Sequence, residues 1–238
     1  MAKAKSSTQL KSAKVPKLST KSFKENFDNK KQRAAKVVSL LAKRYPDAHC
    51  ALDHENAFQL LVATILSAQC TDERVNKVTP ALFKRFPNPK SYLKADLAEI
   101  EDLVRTTGFF KNKAKNIKAC AEQLVEKHKG EVPQTMEELH ALPGVGRKTA
   151  NVVLGNVFGI PGMVVDTHVT RLSNRLGFVR GTDAVKLELE LQKLIAQKDW
   201  TMYSHYLITH GRAVCTARSP DCKNCFLNLH CPQLPYKK

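Results

Sequence analysis

The stretch Leu-Pro-Gly-Val-Gly-Arg-Lys-Thr-Ala-Asn, residues 142–151, decides how the fold of this chain is interpreted. Gly144 and Gly146 allow backbone angles that residues with a Cβ atom avoid, and they let the backbone approach a ligand closely. The amide groups of this turn and of the following helix suit a phosphate oxygen, and Leu142 and Val145 are expected to anchor the turn. The pattern predicts a helix–turn–helix corner that binds DNA phosphate without reading sequence, although an ordinary corner also fits it.

Lys148 lies within the first turn of the helix that follows. The positive end of that helix disfavours an ammonium ion, so a lysine at this position suits nucleophilic chemistry through a Schiff base. A surface lysine that only touches phosphate is the alternative. Arg147, beside it, points to another face of the helix and is expected to contact DNA or to pack.

Asp166 stands eighteen residues after Lys148, in the segment Val-Val-Asp-Thr-His. Taken alone, it is an N-cap for a helix that starts at Thr167. If it lies close to Lys148, it can also accept a proton or stabilise a developing sugar cation. The two roles are compatible, because a capping carboxylate can face a cleft.

Four of the seven cysteines crowd the C-terminus with the spacing C-x6-C-x2-C-x5-C, at Cys215, Cys222, Cys225 and Cys231. Thiols this close together in sequence indicate a metal site, and the three scattered cysteines are expected to be packing residues. Zinc and an iron–sulfur cluster both accept four cysteines. The spacing leaves that choice open, with iron–sulfur favoured.

The net charge of +17, from 39 basic and 22 acidic residues, favours a polyanionic partner, with nucleic acid ahead of an anionic membrane. No apolar run approaches membrane-spanning length, and no secretory segment is evident. The odd number of cysteines in such a chain indicates a reducing compartment. A length of 238 residues is enough for one domain or two small ones.

Residues 1–24 contain seven lysines and no acidic residue, with Ser and Thr filling much of the rest. Such a segment cannot bury a core, and we expect it to be disordered and to bind DNA through counterion release. A transit peptide is the alternative, which the lack of arginine disfavours. Removing the seven charges leaves about +10 on the rest of the chain, which is therefore basic by itself.

The remaining sequence is a succession of helix signals without an alternating strand pattern, so the fold class is predicted to be all-α. Pro80 is expected to kink or split one helix. Asp96 with Glu99, and Thr135 with Glu138, resemble capping boxes that open short helices. The other predicted helices cover residues 31–44, 57–69, 72–86, 111–128, 147–158, 167–176, 183–196 and 201–213.

Taken together, residues 142–151, the segment Val165–Arg171 and the four-cysteine ending resemble the endonuclease III family of DNA repair glycosylases. The resemblance includes the Gly/Pro-rich stretch 155–162 and extends from about residue 30 to residue 233. Its motifs are individually moderate and jointly specific.

The resemblance implies a role for each candidate residue. Lys148 matches the family's nucleophilic lysine and Asp166 its catalytic aspartate, while the four cysteines match the ligands of a [4Fe–4S] cluster. An aromatic residue stands where the family often has an intercalating leucine, and it should still work by stacking. The DNA-binding residues implied are Gln69, which fills the gap left by a flipped base, the aromatic Phe109, and Gly144, Gly146, Arg147 and His168.

The resemblance also implies two helical domains that flank a DNA-binding cleft, with a helix–hairpin–helix motif and a C-terminal [4Fe–4S] cluster loop. Residues 1–28 are expected to form the disordered basic tail. A six-helix domain that carries the hairpin would take residues 50–161, and a discontinuous cluster domain would take residues 29–49 and 162–238.

The activity implied is that of a bifunctional DNA glycosylase and AP lyase in base excision repair. It would remove oxidised pyrimidines from duplex DNA through a lysine Schiff base and cleave the strand 3′ to the AP site by β-elimination. The partner expected is double-stranded DNA with damaged pyrimidines or AP sites, bound by a monomer, with no membrane involved. The default location is a bacterial cytoplasm, at the nucleoid, and the basic tail leaves a nuclear or organellar one open.

Three rival functions are consistent with part of the pattern. A related adenine glycosylase usually lacks a lysine at the position of Lys148 and carries an extra C-terminal domain, whereas seven residues follow Cys231 here. A mismatch thymine glycosylase differs in the residues of its base pocket, which the motifs do not identify. A non-catalytic DNA-binding protein would use the hairpin and a structural metal, and the presence of both Lys148 and Asp166 argues against it.

Overall fold

The protein is helical throughout the part that the computed structural model describes, residues 23–236. This part contains eleven α-helices and no strand, which confirms the all-α prediction, and none of its helices is long and apolar enough to cross a membrane. The helices are α1 (Phe27–Arg44), α2 (Ala57–Leu66), α3 (Asp72–Arg85), α4 (Pro89–Tyr92), α5 (Leu97–Val104), α6 (Phe110–His128), α7 (Met136–His140), α8 (Arg147–Val157), α9 (Thr167–Arg175), α10 (Ala184–Leu194) and α11 (Trp200–Ala213).

A first hydrophobic core is enclosed by α2 to α8, and its buried residues lie between Leu52 and Val164. The central helix is α2, which is buried from Phe58 to Leu66, and this explains why its sequence is apolar on every face. The helix α8 packs on α2 and α7, while α6 packs on α4 and α5. The hairpin formed by α7, its turn and α8 is therefore seated directly on the central helix.

A second core is formed by α1 together with α9, α10 and α11. The helix α1 packs against α10 and α11, and α11 packs against α9. The apolar positions that predicted α1, including Ala34, Val37 and Leu41, are the ones buried in it. The chain thus returns to its first helix after it has completed the other core.

The two cores meet where α8 approaches α11. A Cβ atom on Gly155 would lie 2.6 Å from Thr201 Oγ1, so this approach requires glycine. On the same helix, Asn151 Nδ2 donates to the carbonyl oxygen of Met163 at 2.9 Å. That bond fixes the segment between α8 and α9, which carries the chain from the first core into the second.

Pro80 does not divide α3, which runs unbroken from Asp72 to Arg85, so the expectation of a split is wrong. Val75, Thr79 and Leu82 bury one face of the helix on both sides of the proline. That packing outweighs the loss of a single backbone donor.

The bounds of two helices differ from the sequence prediction by three residues or more. The helix α2 ends at Leu66 instead of residue 69, and Gln69 adopts a left-handed φ of 53°. The helix α1 begins at Phe27 instead of residue 31, with Asn26 as the N-cap. Residues 1–22 of the predicted basic tail lie outside the described residues.

The two predicted capping boxes are caps of a simpler kind. Asp96 accepts from Ala98 N at 3.1 Å at the start of α5, while Glu99 forms an ion pair with Arg85 instead of closing the box. At the start of α7, Thr135 Oγ1 accepts from the amide of residue 138 at 3.2 Å. Both short helices begin where the sequence indicated.

Candidate active site

The turn between α7 and α8 is anchored as the sequence predicted. Leu142 and Val145 are buried in the first core, and Val145 N donates to Leu142 O at 3.1 Å. Gly146 is the N-cap of α8, so Lys148 is the second residue of that helix. Its side chain is exposed, which leaves the amine available to a ligand.

The two glycines of this turn have different roles. Gly144 has a φ of +75°, and a Cβ atom there would lie 2.8 Å from the Cβ atom of Asn116, so its glycine is demanded by the fold. Gly146 has a φ of −89°, and a Cβ atom would meet no atom within 4 Å. The open space at Gly146 faces outward at the amide end of α8, where a phosphate oxygen can approach.

Asp166 is the N-cap of α9, as predicted, and its Oδ1 accepts from Val169 N at 2.8 Å. The side chain is half-buried, and the three residues before it, 163–165, are buried. The hydrogen bond from the Asn151 side chain to the carbonyl oxygen of Met163 fixes the start of this segment. Asp166 therefore has a fixed position at the point where the two cores join.

Lys148 and Asp166 line the same open cavity, which has a volume of about 400 Å³. The cavity lies between the N-terminal ends of α8 and α9, so both helix dipoles direct their positive ends towards it. Its other lining residues come from α9 and the residue before Asp166, from the start of α10 and the loop before it, and from the C-terminal segment: Val165, Thr167, Thr170, Thr182, Ala184 and Tyr236. A primary amine and a carboxylate in one solvent-open cleft can carry out covalent catalysis with proton transfer.

Arg147 turns away from this cavity to the other side of α8. Its Nε and Nη2 atoms donate to the two carboxylate oxygens of Glu188 at 2.9 and 2.8 Å. Glu188 is buried on α10, so this bidentate pair ties the hairpin of the first core to the second core. The hydrogen bond to Glu188 raises the pKa of Arg147. The geometry favours a packing role for Arg147, and its contact with DNA stays a prediction.

His168 follows Asp166 on the first turn of α9 and is half-buried. Its Nδ1 atom lies 3.2 Å from Arg171 Nη2, and a Cβ atom on Gly211 would lie 2.7 Å from the same nitrogen. Burial lowers the pKa of His168, and the nearby carboxylate of Asp166 opposes that shift. Its contact with DNA stays a prediction as well.

Gln69 and Phe109 are exposed residues in strained backbone. Their φ angles are 53° and 49°, in the left-handed region that residues with a Cβ atom rarely adopt. Phe109 keeps 65% of its surface exposed, which is unusual for an aromatic side chain of this size. Gln69 lies just beyond the end of α2, and Phe109 caps the start of α6. Such strain is typical of functional positions.

The four C-terminal cysteines line one cavity of about 380 Å³ at the end of α11. All four are free thiols: Cys215, Cys222, Cys225 and Cys231. Burial raises the pKa of the last three, that of Cys231 to about 12, and the charge of the first raises each of them further. Thiols of this kind become thiolates when a cation binds them.

Arg175 holds the loop that carries these cysteines, here named the cysteine loop (residues 215–231). Its guanidinium donates to the carbonyl oxygens of Thr216 at 2.7 Å and Ala217 at 2.9 Å, and it lies 3.3 Å from Cys215 Sγ. Within residues 23–236, no three Cys, His, Asp or Glu side chains lie close enough to hold a single metal ion.

Several residues of these sites were missed by the sequence analysis. Thr182 and Tyr236 reach the cleft only through the tertiary fold, and no local pattern indicates them. Glu188 is an acidic residue on the buried face of α10, between Leu187 and Leu191, and that position could have indicated a buried partner. Its partner, Arg147, is identified only by the fold, which places α8 beside α10.

Over most of its length the chain is similar to DNA repair proteins. Residues 62–197 match the family described as HhH-GPD superfamily base excision DNA repair protein. The endonuclease III of Synechocystis sp. is 58% identical over 205 residues, which cover 86% of this chain and 94% of that protein. The family match and the near-complete overlap agree with the motifs of the cleft and the hairpin.

Two solved structures have the same fold over most of the chain. A non-covalent endonuclease III–DNA complex is 46% identical, with a TM-score of 0.80, and covers 84% of this chain and 94% of that one. A trapped endonuclease III–DNA covalent intermediate, the estranged-adenine complex, is also 46% identical, with a TM-score of 0.81 and a coverage of 84% and 95%. By sequence and by fold, the chain belongs to the endonuclease III family of the HhH-GPD superfamily.

Proposed function

We propose that this protein is a bifunctional DNA glycosylase and AP lyase of base excision repair, in which Lys148 is the nucleophile and Asp166 the proton acceptor. The supporting observation is that the amine and the carboxylate, eighteen residues apart in sequence, line one cleft at the ends of two helices. The endonuclease III relatives, one trapped as a covalent intermediate with DNA, support the same chemistry. The substrate class is duplex DNA that contains an oxidised pyrimidine or an AP site.

The first step joins the enzyme to the sugar. The neutral amine of Lys148 attacks C1′ of a nucleotide turned out of the duplex, and the bond from C1′ to the base breaks. The base leaves with a proton from the medium or from the cleft. Asp166 takes up the proton that the amine loses and stabilises the positive charge that develops on the sugar.

The second step cuts the strand. The C1′–O4′ bond then breaks, O4′ takes the proton that Asp166 holds, and the opened sugar is left with an iminium ion between Lys148 and C1′. This ion makes the C2′ protons acidic, and loss of one of them expels the 3′ phosphate by β-elimination. Water then hydrolyses the imine and releases Lys148 unchanged. One amine thus serves both the glycosylase and the lyase step.

The turn and the exposed loops would position the DNA for this chemistry. The open amides at Gly146 would bind a backbone phosphate, which is independent of base sequence. Gln69 and Phe109 would occupy the space that the flipped nucleotide leaves, and their exposure and strained backbone support this role. Gly144 gives the turn its shape and Arg147 ties the hairpin to α10, so both would act on DNA binding through the position of the turn. A DNA contact of His168 is part of the same proposal.

We also propose that Cys215, Cys222, Cys225 and Cys231 hold a [4Fe–4S] cluster. The cavity that all four cysteines share, and the similarity of the chain to endonuclease III, support this donor set. Such a cluster would fasten the cysteine loop as a structural or DNA-binding element. Iron and sulfide analysis of the purified protein tests this: a stoichiometric zinc content without iron would contradict it.

The two hydrophobic cores support the division into a six-helix domain, residues 50–161, and a discontinuous cluster domain, residues 29–49 and 162–238. The first core includes Val164, so its apolar contacts reach three residues past the proposed boundary. We propose a monomer that acts on DNA in a bacterial cytoplasm, since the relatives are bacterial repair enzymes.

The decisive experiment is borohydride trapping on duplex DNA that contains thymine glycol. Wild-type protein should form a covalent adduct, and Lys148→Ala should lose both adduct and strand cleavage while it keeps DNA affinity. Because Lys148 is exposed, this change should leave the melting temperature unaltered.

Lys193→Ala is the matched control, since it removes another exposed lysine from the same protein. It should trap as wild type does. An adduct that survives in Lys148→Ala would remove this lysine from the nucleophile's role, and wild-type protein that neither traps nor cleaves would overturn the proposed activity.

A further inference from the structure

Lys113 is a buried lysine that the proposed chemistry does not use. It lies on α6 with only 5% of its surface exposed, in the middle of the helix face that also buries Ala114 and Ile117. A charged amine in such a place is rare unless it is hydrogen-bonded. Burial lowers the pKa of Lys113 from its ordinary value.

The Lys113 ammonium bridges two loops of the molecule. Its Nζ donates to the carbonyl oxygen of Leu66 and to that of Thr107, both at 2.8 Å. Leu66 is the last residue of α2, where carbonyl groups lack helical partners. Thr107 ends the short 3₁₀ turn before Gly108. The two acceptors are 41 residues apart in sequence, and one amine fixes their separation.

Both of these loops lead directly to a strained, exposed residue. Gln69 comes three residues after Leu66, and Phe109 comes two residues after Thr107. The left-handed φ of each costs free energy that the surrounding contacts must offset. The only protein group bonded to both loops within the described residues is the ammonium of Lys113.

We infer that Lys113 is a positioning residue for the opening of the duplex: it holds Gln69 and Phe109 at the separation that lets them replace a flipped nucleotide. The inference rests on the proposed function, because those two side chains matter only if a base is turned out. Without the ammonium, two buried carbonyl groups lose their donor and the loops relax independently. The cleft itself, on α8 and α9, is left in place.

The test compares two substrates for each variant. Borohydride trapping is measured on duplex DNA with thymine glycol, which must be opened, and on single-stranded DNA with an AP site, which has no base to turn out. Lys113→Met should lower the ratio of the duplex rate to the single-strand rate by about 10- to 100-fold, as expected for a lost charge-assisted hydrogen bond. Trapping on the single strand also shows that the variant is folded.

Lys118→Met is the matched control. Lys118 lies on the same helix, and its Nζ donates to the carbonyl oxygen of Ala95 at 2.8 Å, away from both loops. It should keep the wild-type ratio, because it loses the same kind of bond elsewhere. Should Lys113→Met not fold, Lys113→Gln takes its place, since an amide is uncharged and one atom shorter, and the ratio should fall with it also.

The outcomes separate the two proposals. Wild-type protein that traps neither substrate refutes the proposed function by itself. If wild type traps both, a wild-type ratio in the Lys113 variant overturns the positioning role. An equal loss on both substrates overturns it too, since the effect would then lie in the cleft. A second readout is the fluorescence of 2-aminopurine placed opposite a tetrahydrofuran site, which reports the opening of the duplex. This fluorescence should rise with wild type and Lys118→Met and stay low with Lys113→Met.

Discussion

The cleft and the cysteine loop are built by different means. The cleft takes its two reactive groups from the first turns of α8 and α9, and both helices are fixed by buried side chains of two hydrophobic cores. The cysteine loop contains only turns and a short 3₁₀ helix at Asn228–His230. It is held to α9 through hydrogen bonds from Arg175 to its carbonyl groups.

The difference means that the cleft and the cysteine loop should respond differently to mutation. Helices that are packed into a core keep their geometry without a ligand, which suits a site whose amine and carboxylate must be in place before DNA arrives. The cysteine loop also packs on the second core through Leu227 and Phe226, but it has no α-helix, so it depends more on its polar contacts and on any bound group. Damage to the cleft should therefore reduce the rate, whereas damage to the cysteine loop should reduce local stability.

The largest effect is expected from Asp166→Asn. Asparagine caps a helix as well as aspartate does, so the bond to Val169 N and the stability of α9 should be kept. It cannot take up a proton, and the rate of base release should fall by about 10²- to 10⁴-fold. Single-turnover kinetics on thymine glycol duplex and thermal melting measure the two effects separately.

Asp166→Ala is the companion variant, because it removes the cap as well as the carboxylate. It should lose the same rate and also about 1 kcal/mol of stability. If Asp166→Asn keeps the wild-type rate, the carboxylate is only a cap and the proposed proton acceptor is wrong.

A smaller effect, confined to the cysteine loop, is expected from Arg175→Met. The variant loses the bonds to Thr216 O and Ala217 O, and amide hydrogen exchange in residues 215–231 should become faster by about tenfold or more. The single-strand trapping rate of intact protein should not change. Arg180→Met, which alters an exposed arginine just after α9, serves as the control. Equal exchange in both variants would show that Arg175 does not hold the loop.

The sequence predicted well those features that depend on local physics. Helix periodicity located most of the helices, and the spacing of Asp166 before Thr167 gave its cap correctly. Tertiary packing explains why Pro80 does not split its helix, since buried residues on either side keep the helix unbroken. The prediction failed for Glu188, since a buried carboxylate gives no local sign of the arginine that will pair with it.

Lys113 is a second residue whose environment could not be predicted from the sequence. On sequence alone it belongs to a basic amphipathic helix, in which a lysine is normally solvated. Its position between Phe110 and Ile117, on the apolar stripe, was the available signal that it is buried. The identity of its two acceptors follows only from the contact of α6 with the end of α2.

The smallest effects are expected from the two glycines of the hairpin turn, one on stability and the other on DNA affinity. Gly144→Ala places a Cβ atom 2.8 Å from Asn116 at a φ of +75°, so it should destabilise the fold by about 1–2 kcal/mol. Gly146→Ala meets no atom within 4 Å at an ordinary φ, so its stability should change by less than about 0.5 kcal/mol. Its affinity for AP-site DNA should nevertheless fall by about two- to fivefold, because the methyl group occupies the space where a phosphate would approach. Melting curves and binding isotherms at fixed salt distinguish the two glycines, and wild-type affinity in Gly146→Ala would place the phosphate elsewhere on the hairpin.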